Sequence, residues 1–247
     1  MSTENHKPAE VNLILQGKGG VGKSFIASIL AQYYLEKNET PLCIDTDPVN
    51  ATFLGYKALN AHRIELMREN NVIDTRQFDS MMEMIIESSE DVIVDNGAAS
   101  FIPLFGYLVE NNAMEMLKDC GKQVVIHSVI TGGQALMDTL NGFSQMVNNT
   151  PPYVKNVVWL NEYFGKVEVQ DKGFEKLKAY TDNKDKVSGI ITIPKRAAQT
   201  FEQDIQLMQD KRLTFNEAIT SSEFELMAKQ RLKMIKKSLF EQLDIVM

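Results

Sequence analysis

Cysteine is scarce in this chain: Cys43 and Cys120 are the only two among 247 residues. Cys43 lies inside an apolar run that reads as a strand, so a disulfide framework is excluded and a reducing cytoplasm fits. No apolar run reaches the length of a membrane span, and the N-terminus lacks the pattern of a secretory leader. Positive charge is the minority, 26 Lys and Arg against 33 Asp and Glu, for a net charge of −7. That excludes a surface broadly coated for nucleic acid and leaves room only for a local basic patch. No Pro-, Gly- or Ser-rich linker breaks the chain, so 1–247 is read as one domain, with polar residues 1–9 expected to fray.

Apolar residues, by contrast, make up 44% of the chain, enough for a large core. The densest signal is Gln16-Gly17-Lys18-Gly19-Gly20-Val21-Gly22-Lys23-Ser24. It contains Gly-x-x-x-x-Gly-Lys-Ser, the phosphate-binding loop. Val11 to Leu15 before it reads as a buried strand, and Phe25 to Leu35 after it as a helix. In that context glycines let backbone N–H groups turn toward phosphate oxygens, and the helix N-terminus adds partial positive charge. Gly17, Gly19, Gly20, Val21, Gly22 and Phe25 are expected to contribute backbone. Lys23 is expected to reach the terminal phosphates and Ser24 to offer its hydroxyl to Mg²⁺.

Further strands are expected at 41–45, 91–95, 123–130, 156–161 and 186–193, alternating with helices. Such alternation predicts an α/β fold, a doubly wound, mostly parallel sheet flanked by helices. Helices are expected at 61–70, 76–88, 101–111, 113–119, 131–147, 174–180, 199–210 and 222–244, the last capped by Ser221 or Ser222. Asp45, Asp47 and Asp95 stand at or just beyond carboxyl ends of strands, where open α/β sheets bind ligands. Asp45 and Asp47 also suit a turn that ends a strand. His127, between apolar neighbours, reads as a satisfied interior histidine. Asn183-Lys184-Asp185-Lys186 lacks the final Asp of the guanine motif, which favours ATP over GTP.

The last helix carries an apolar stripe of Phe224, Met227, Ala228, Leu232, Ile235 and Leu239. Its basic residues Lys229, Arg231, Lys233, Lys236 and Lys237 read either as a solvated face or as a contact for anionic lipid or DNA.

With Lys18 inside it, the loop resembles the deviant Walker A motif of the partition, Min and nitrogenase-reductase group of dimeric ATPases. That resemblance implies a P-loop NTPase of the MinD-like kind and an ATP-sandwich homodimer. In it Lys18 touches the partner's phosphates and acts with Lys23 in catalysis. It gives Asp47 the task of positioning the attacking water, Asp45 support of the metal's water shell, and Asp95 the hold on Mg²⁺. It places Asn161 on the adenine edge and Pro194 against the base. There are departures. Pro48-Val49-Asn50-Ala51-Thr52 is one residue shorter than the family's usual phrase, Asn96-Gly97-Ala98 replaces Thr-Pro-Pro, and Phe25 replaces a hydroxyl that touches the α-phosphate. An iron–sulfur role needs two cysteines at the dimer face, which Cys43 cannot supply.

Over nearly the whole chain, phrases such as Asp45-Thr46-Asp47-Pro48-Val49-Asn50-Ala51-Thr52-Phe53, Asp95-Asn96-Gly97-Ala98-Ala99-Ser100 and Arg231-Leu232-Lys233-Met234 are similar to the TraL-type conjugal transfer proteins of broad-host-range plasmids. This implies an ATPase switch in conjugative DNA transfer, partnered by transfer or partition proteins. Its location would be the cytoplasm, or peripheral at the inner membrane or nucleoid. Three other readings stay open: a partition ATPase, a small-molecule ligase or kinase on the same loop, and an adaptor that binds ATP without hydrolysis.

Overall fold

The structure is a computed structural model and describes residues 7–68 and 72–247. The strands are β1 Glu10–Leu15, β2 Leu42–Asp45, β3 His62–Arg63, β4 Val92–Asp95, β5 Gln123–Thr131, β6 Lys155–Asn161, β7 Glu168–Val169, β8 Lys172–Gly173 and β9 Val187–Ile193. The α-helices are α1 Lys23–Glu36, α2 Gln77–Glu87, α3 Phe101–Glu110, α4 Ala113–Asp119, α5 Leu136–Asn149, α6 Lys178–Thr181, α7 Gln203–Asp210, α8 Phe215–Thr220 and α9 Leu226–Val246. Seven strands form one sheet in the order β3-β2-β4-β1-β5-β6-β9, and every pairing in it is parallel. Early strands lie on one side of β1 and later ones on the other. The loop after β1 therefore falls at the switch point, where such sheets bind ligands.

Both sheet faces are covered. Val11, Leu13 and Leu15 of β1, with Val92 and Val94 of β4, pack on α2, α3 and α4. Ile14 and Ile93 point the other way, into a core built from α1, α8 and α9. Helix α1 is buried nearly all round, which explains why its sequence carries apolar residues on more than one face. Gln32 is tolerated there because its Nε2 donates to Ser28 O and its Oε1 accepts from Phe215 N, at 2.9 and 2.6 Å.

A buried polar chain crosses the sheet. Tyr34 donates to Glu10 Oε2 and Asn12 Nδ2 donates to Tyr34, each at 3.0 Å, while His127 Nε2 meets Asn12 Oδ1 and Trp159 Nε1 donates to His127 Nδ1, each at 2.9 Å. The tryptophan N–H makes Nδ1 the acceptor, so Nε2 carries the proton. His127 is the satisfied interior histidine expected, and burial pushes its pKa down to about 3.

Three expectations need correction. Residues 61–70 are extended where described: β3 pairs with β2, and Met67 bridges Ile73. Ile64 and Leu66 are buried with exposed Glu65 between them, a two-residue period that belongs to a strand. Residues 69–70 of that stretch, and 1–6 of the expected frayed end, lie outside the described residues. The stretch 174–180 is two short helical turns, Phe174–Lys176 and α6, broken at Leu177 with ψ 148°. The last helix begins at Leu226, and Ser221 and Ser222 do not cap it. Ahead of it Thr214 and Glu217 form a reciprocal capping box that starts α8 separately. Phe224, Ala228, Leu232, Ile235 and Leu239 are buried as expected, but Met227 is exposed.

Candidate functional site

The glycine loop leaves β1 at Leu15 and enters α1 at Lys23. Gly20 and Gly22 adopt φ 73° and 98°, the left-handed region that glycine enters without penalty. Gly17 lies under Phe101: a Cβ there would come within 2.9 Å of the ring. Lys23 is buried and its Nζ donates to Lys18 O at 3.1 Å, folding the side chain back across the loop. Burial lowers its pKa, and the carboxylates of Asp95 and Asp47 work against that.

Asp95 ends β4 in register with Ile14 and Asp45. Both its oxygens are buried without a hydrogen-bond partner. Burial pushes the carboxyl up to about 7; the Ser24 hydroxyl, beside it though outside hydrogen-bond geometry, pulls the other way. A buried carboxylate left without partners is costly unless something positive or hydrogen-donating meets it. A hydrated Mg²⁺ flanked by Asp95 and Ser24 fits that demand. Among the described residues no group of three or more His, Cys, Asp or Glu could hold a metal. Phosphate oxygens and water would have to complete the shell.

Asp45 is also buried, but its oxygens are in use. Oδ1 accepts from Asp47 N at 3.0 Å and Oδ2 from Leu54 N at 2.9 Å. It ties down the loop that carries Asp47, leaving only its second lone pairs for a metal's water shell. Asp47 accepts from Val49 N and Asn50 N at 2.8 and 3.0 Å. Its carboxylate faces the loop after β4, where a Cβ on Gly97 would come within 2.7 Å of Asp47 Cγ. The departure Asn96-Gly97-Ala98 thus has a local logic. Asn96 Oδ1 accepts from Ser100 Oγ and Thr46 Oγ1 at 2.8 and 3.2 Å, tying the loops after β2 and β4 together.

Asn161 ends β6 and reaches back to the phosphate loop. Its Nδ2 donates to Val21 O at 2.9 Å and its Oδ1 accepts from Tyr163 N at 3.2 Å. Its amide therefore braces the loop, which the expectation of a base contact did not foresee. Pro194, just past β9, lines a small apolar cleft of about 50 Å³ with Phe25, Tyr163 and Phe201. A second cleft, of about 480 Å³, lies over Gly19, Gly22, Lys23 and Ser24 and reaches Asp47, Gln209 and Arg212. Phe25 lines both.

Lys18 Nζ pairs with Asp138 Oδ2 at 2.8 Å, both side chains about half exposed. Gln209 and Arg212 were missed by sequence reasoning. Nothing in their own stretch marks them; Arg212, in the left-handed region at φ 54°, lines the phosphate-side cleft just past α7. The pair Gly132-Gly133 makes a tight turn against the backbone of 164–166. The basic face of α9 is interleaved with acids from other elements and its own: Arg231 with Asp204 at 2.5 Å, Lys236 with Glu36 at 2.8 Å, Lys237 with Glu241 at 3.7 Å. No helix among the described residues is long and apolar enough to cross a membrane.

A parallel sheet with a glycine loop at its switch point, a buried lysine in that loop and a lone carboxylate one strand away define a P-loop nucleotide-binding domain. Residues 13–206 match the CobQ/CobB/MinD/ParA nucleotide binding domain, and the chain belongs to that family. It is 50% identical to a Protein TraL of Escherichia coli over 96% of this chain and 98% of the relative, and 52% identical to a second Protein TraL of Escherichia coli over the same shares. Among solved structures it is similar to the cell division ATPase MinD of Pyrococcus furiosus, with a TM-score of 0.54, 13% identity, and coverage of 96% of this chain and 98% of that one. That last likeness is one of fold.

Proposed function

We propose that the chain is an ATP-binding, slowly hydrolysing switch that dimerises with ATP and Mg²⁺ and serves conjugative DNA transfer by engaging transfer proteins. The observation that carries the nucleotide half of this reading is Asp95, whose two buried, unpartnered oxygens lie beside Ser24 and Lys23. Likeness to the TraL proteins supports the transfer half.

In this reading the backbone N–H groups of the 17–25 loop and Lys23 bind the phosphates, and burial of Lys23 strengthens its pull on them. Ser24 and Asp95 hold Mg²⁺, with Asp45 facing its water shell. The metal, when bound, neutralises phosphate charge. Asp47 orients water at the phosphate side, held in place by Val49 N and Asn50 N. Lys18 leaves the exposed pair with Asp138 and completes the partner's site. Such a pair is easily given up, because exposed ion pairs are worth about 0–1 kcal/mol. Asn161 braces the loop and Pro194 packs against the base. The chain would work in the cytoplasm, with the inner membrane or nucleoid as places its partners could take it.

Equilibrium binding of ribose-labelled ATP with and without Mg²⁺, on wild type and Lys23→Ala, tests the nucleotide reading. Mg²⁺-dependent binding that falls at least about 100-fold in Lys23→Ala is expected. Equal binding by both proteins would overturn it.

A further inference from the structure

We propose that Arg212 binds the nucleotide's phosphates from outside the glycine loop, as a second cation beside Lys23. This rests on the ATP reading above and deepens it: the phosphate site takes a guanidinium from the corner between α7 and α8.

Arg212 lines the cleft of about 480 Å³ that lies over Gly22, Lys23 and Ser24. The charged side chains lining that cleft are Lys23, Asp47 and Arg212, two cations against one carboxylate. Among the described residues no carboxylate forms an ion pair with Arg212, and its Nη1 donates to Gln209 O at 2.8 Å. A backbone carbonyl takes one of its donors and leaves its charge unmatched. Phosphate oxygens suit both the charge and the planar fork of a guanidinium.

The backbone supports the assignment. Leu213 N donates to Met208 O and Arg212 N to Gln209 O, each at 3.0 Å, the paired bonds that close a helix on a left-handed residue. Glycine is the usual occupant of that position, yet here it is Arg212, at φ 54°. The other non-glycine residues with positive φ among those described are three asparagines, which tolerate the region, and Gln170 and Asp171 in the hairpin turn between β7 and β8. Neither reason applies to Arg212. A strained position filled by a long cation points to a task for the side chain.

The arginine stem also has its path cleared. A Cβ on Gly55 would come within 3.1 Å of Arg212 Cγ and 3.2 Å of its Cδ, so a side chain there would press on the stem. The corner is fastened to the helix that the glycine loop enters, because Phe215 N donates to Gln32 Oε1 of α1 at 2.6 Å. Loop and guanidinium are thus held in one frame, which lowers the ordering cost of gripping one ligand between them.

The test measures binding of ribose-labelled ADP at about 50 and about 300 mM NaCl to wild type, Arg212→Gly, Arg212→Lys and Lys23→Ala, with melting temperatures taken without nucleotide. A diphosphate keeps hydrolysis out of the measurement. At the lower salt Arg212→Gly should bind at least about 10-fold more weakly than wild type, and Arg212→Lys should lie between, because lysine keeps the charge but not the fork. The loss should shrink at the higher salt, as a charge contact does. Glycine suits the left-handed corner, so Arg212→Gly should melt no more than about 2 °C below wild type. An affinity in Arg212→Gly within about 2-fold of wild type would overturn the proposal, and a loss in Lys23→Ala in the same assay would leave the ATP reading standing. A loss in Arg212→Gly that is equal at both salts, or that comes with a melting temperature lower by more than about 2 °C, would assign Arg212 to packing and overturn the proposal as well. Wild type that binds no labelled ADP would overturn the ATP reading itself.

Discussion

The Nζ of Lys18, in the phosphate loop, sits 2.8 Å from Oδ2 of Asp138 in the first turn of α5. Both groups are about half exposed, so the pair holds Lys18 without contributing much to stability. Asp138→Asn and Lys18→Ala should each change unfolding free energy by less than about 0.5 kcal/mol in urea titrations. A larger loss in either would mean that the pair is structural and Lys18 is not free to leave.

Asp95→Asn should make the protein without nucleotide more stable while removing Mg²⁺-dependent nucleotide affinity. The folded-state carboxyl is raised to about 7, so the folded chain binds a proton that the unfolded chain has released. That contribution is fully present below pH 3.8 and is lost as pH rises through about 7. Above pH 7 the variant should gain about 1–3 kcal/mol, or several degrees in melting temperature. No gain would mean that Asp95 is better satisfied than its surroundings indicate.

His127 acts with the opposite sign. Its folded pKa of about 3 lies below the usual 6.5, so the unfolded chain binds the proton first and stability falls as pH drops below 6.5. In the Asp95→Asn background, which removes the opposing slope of Asp95, the His127 contribution should lower stability by about 2 kcal/mol between pH 6.5 and pH 5, measured against His127→Gln in the same background. A flat profile there would contradict the neutral, doubly bonded imidazole.

Gly97→Ala should separate binding from hydrolysis. The added methyl would come within 2.7 Å of Asp47 Cγ and 2.9 Å of Pro48 Cδ, so Asp47 must shift from the position in which Val49 N and Asn50 N hold it. Nucleotide affinity should stay within about 3-fold while hydrolysis falls at least about 10-fold, measured by phosphate release. Unchanged hydrolysis would remove Asp47 from the water-positioning role.

These contacts differ in how far the sequence carried them. The loop from Gly17 to Ser24 and the strands ending at Asp45 and Asp95 were legible because glycine spacing and β-branched runs are local signals. That the sheet is parallel and flanked by helices followed from alternation, but the order of its strands around β1 did not. The segment 61–68 was misread because two buried residues at Ile64 and Leu66 are too short a pattern to separate period two from period 3.6. The start of α9 was misplaced because Ser221 and Ser222 outweighed the Thr214–Glu217 box seven residues earlier. Long-range contacts were the least legible. Asn161 gripping Val21 O, Arg212 at the phosphate cleft and Lys18 on Asp138 join residues far apart in sequence, and no spacing rule reaches them.

The most direct test of the switch is solution mass by light scattering without nucleotide, with ADP, and with ATP and Mg²⁺, on wild type, Lys18→Ala and Asp47→Ala. The account predicts that ATP doubles the mass of wild type, that Asp47→Ala holds the dimer longer, and that Lys18→Ala stays monomeric. A mass that ATP leaves unchanged in all three proteins would contradict an ATP-driven dimer completed by Lys18.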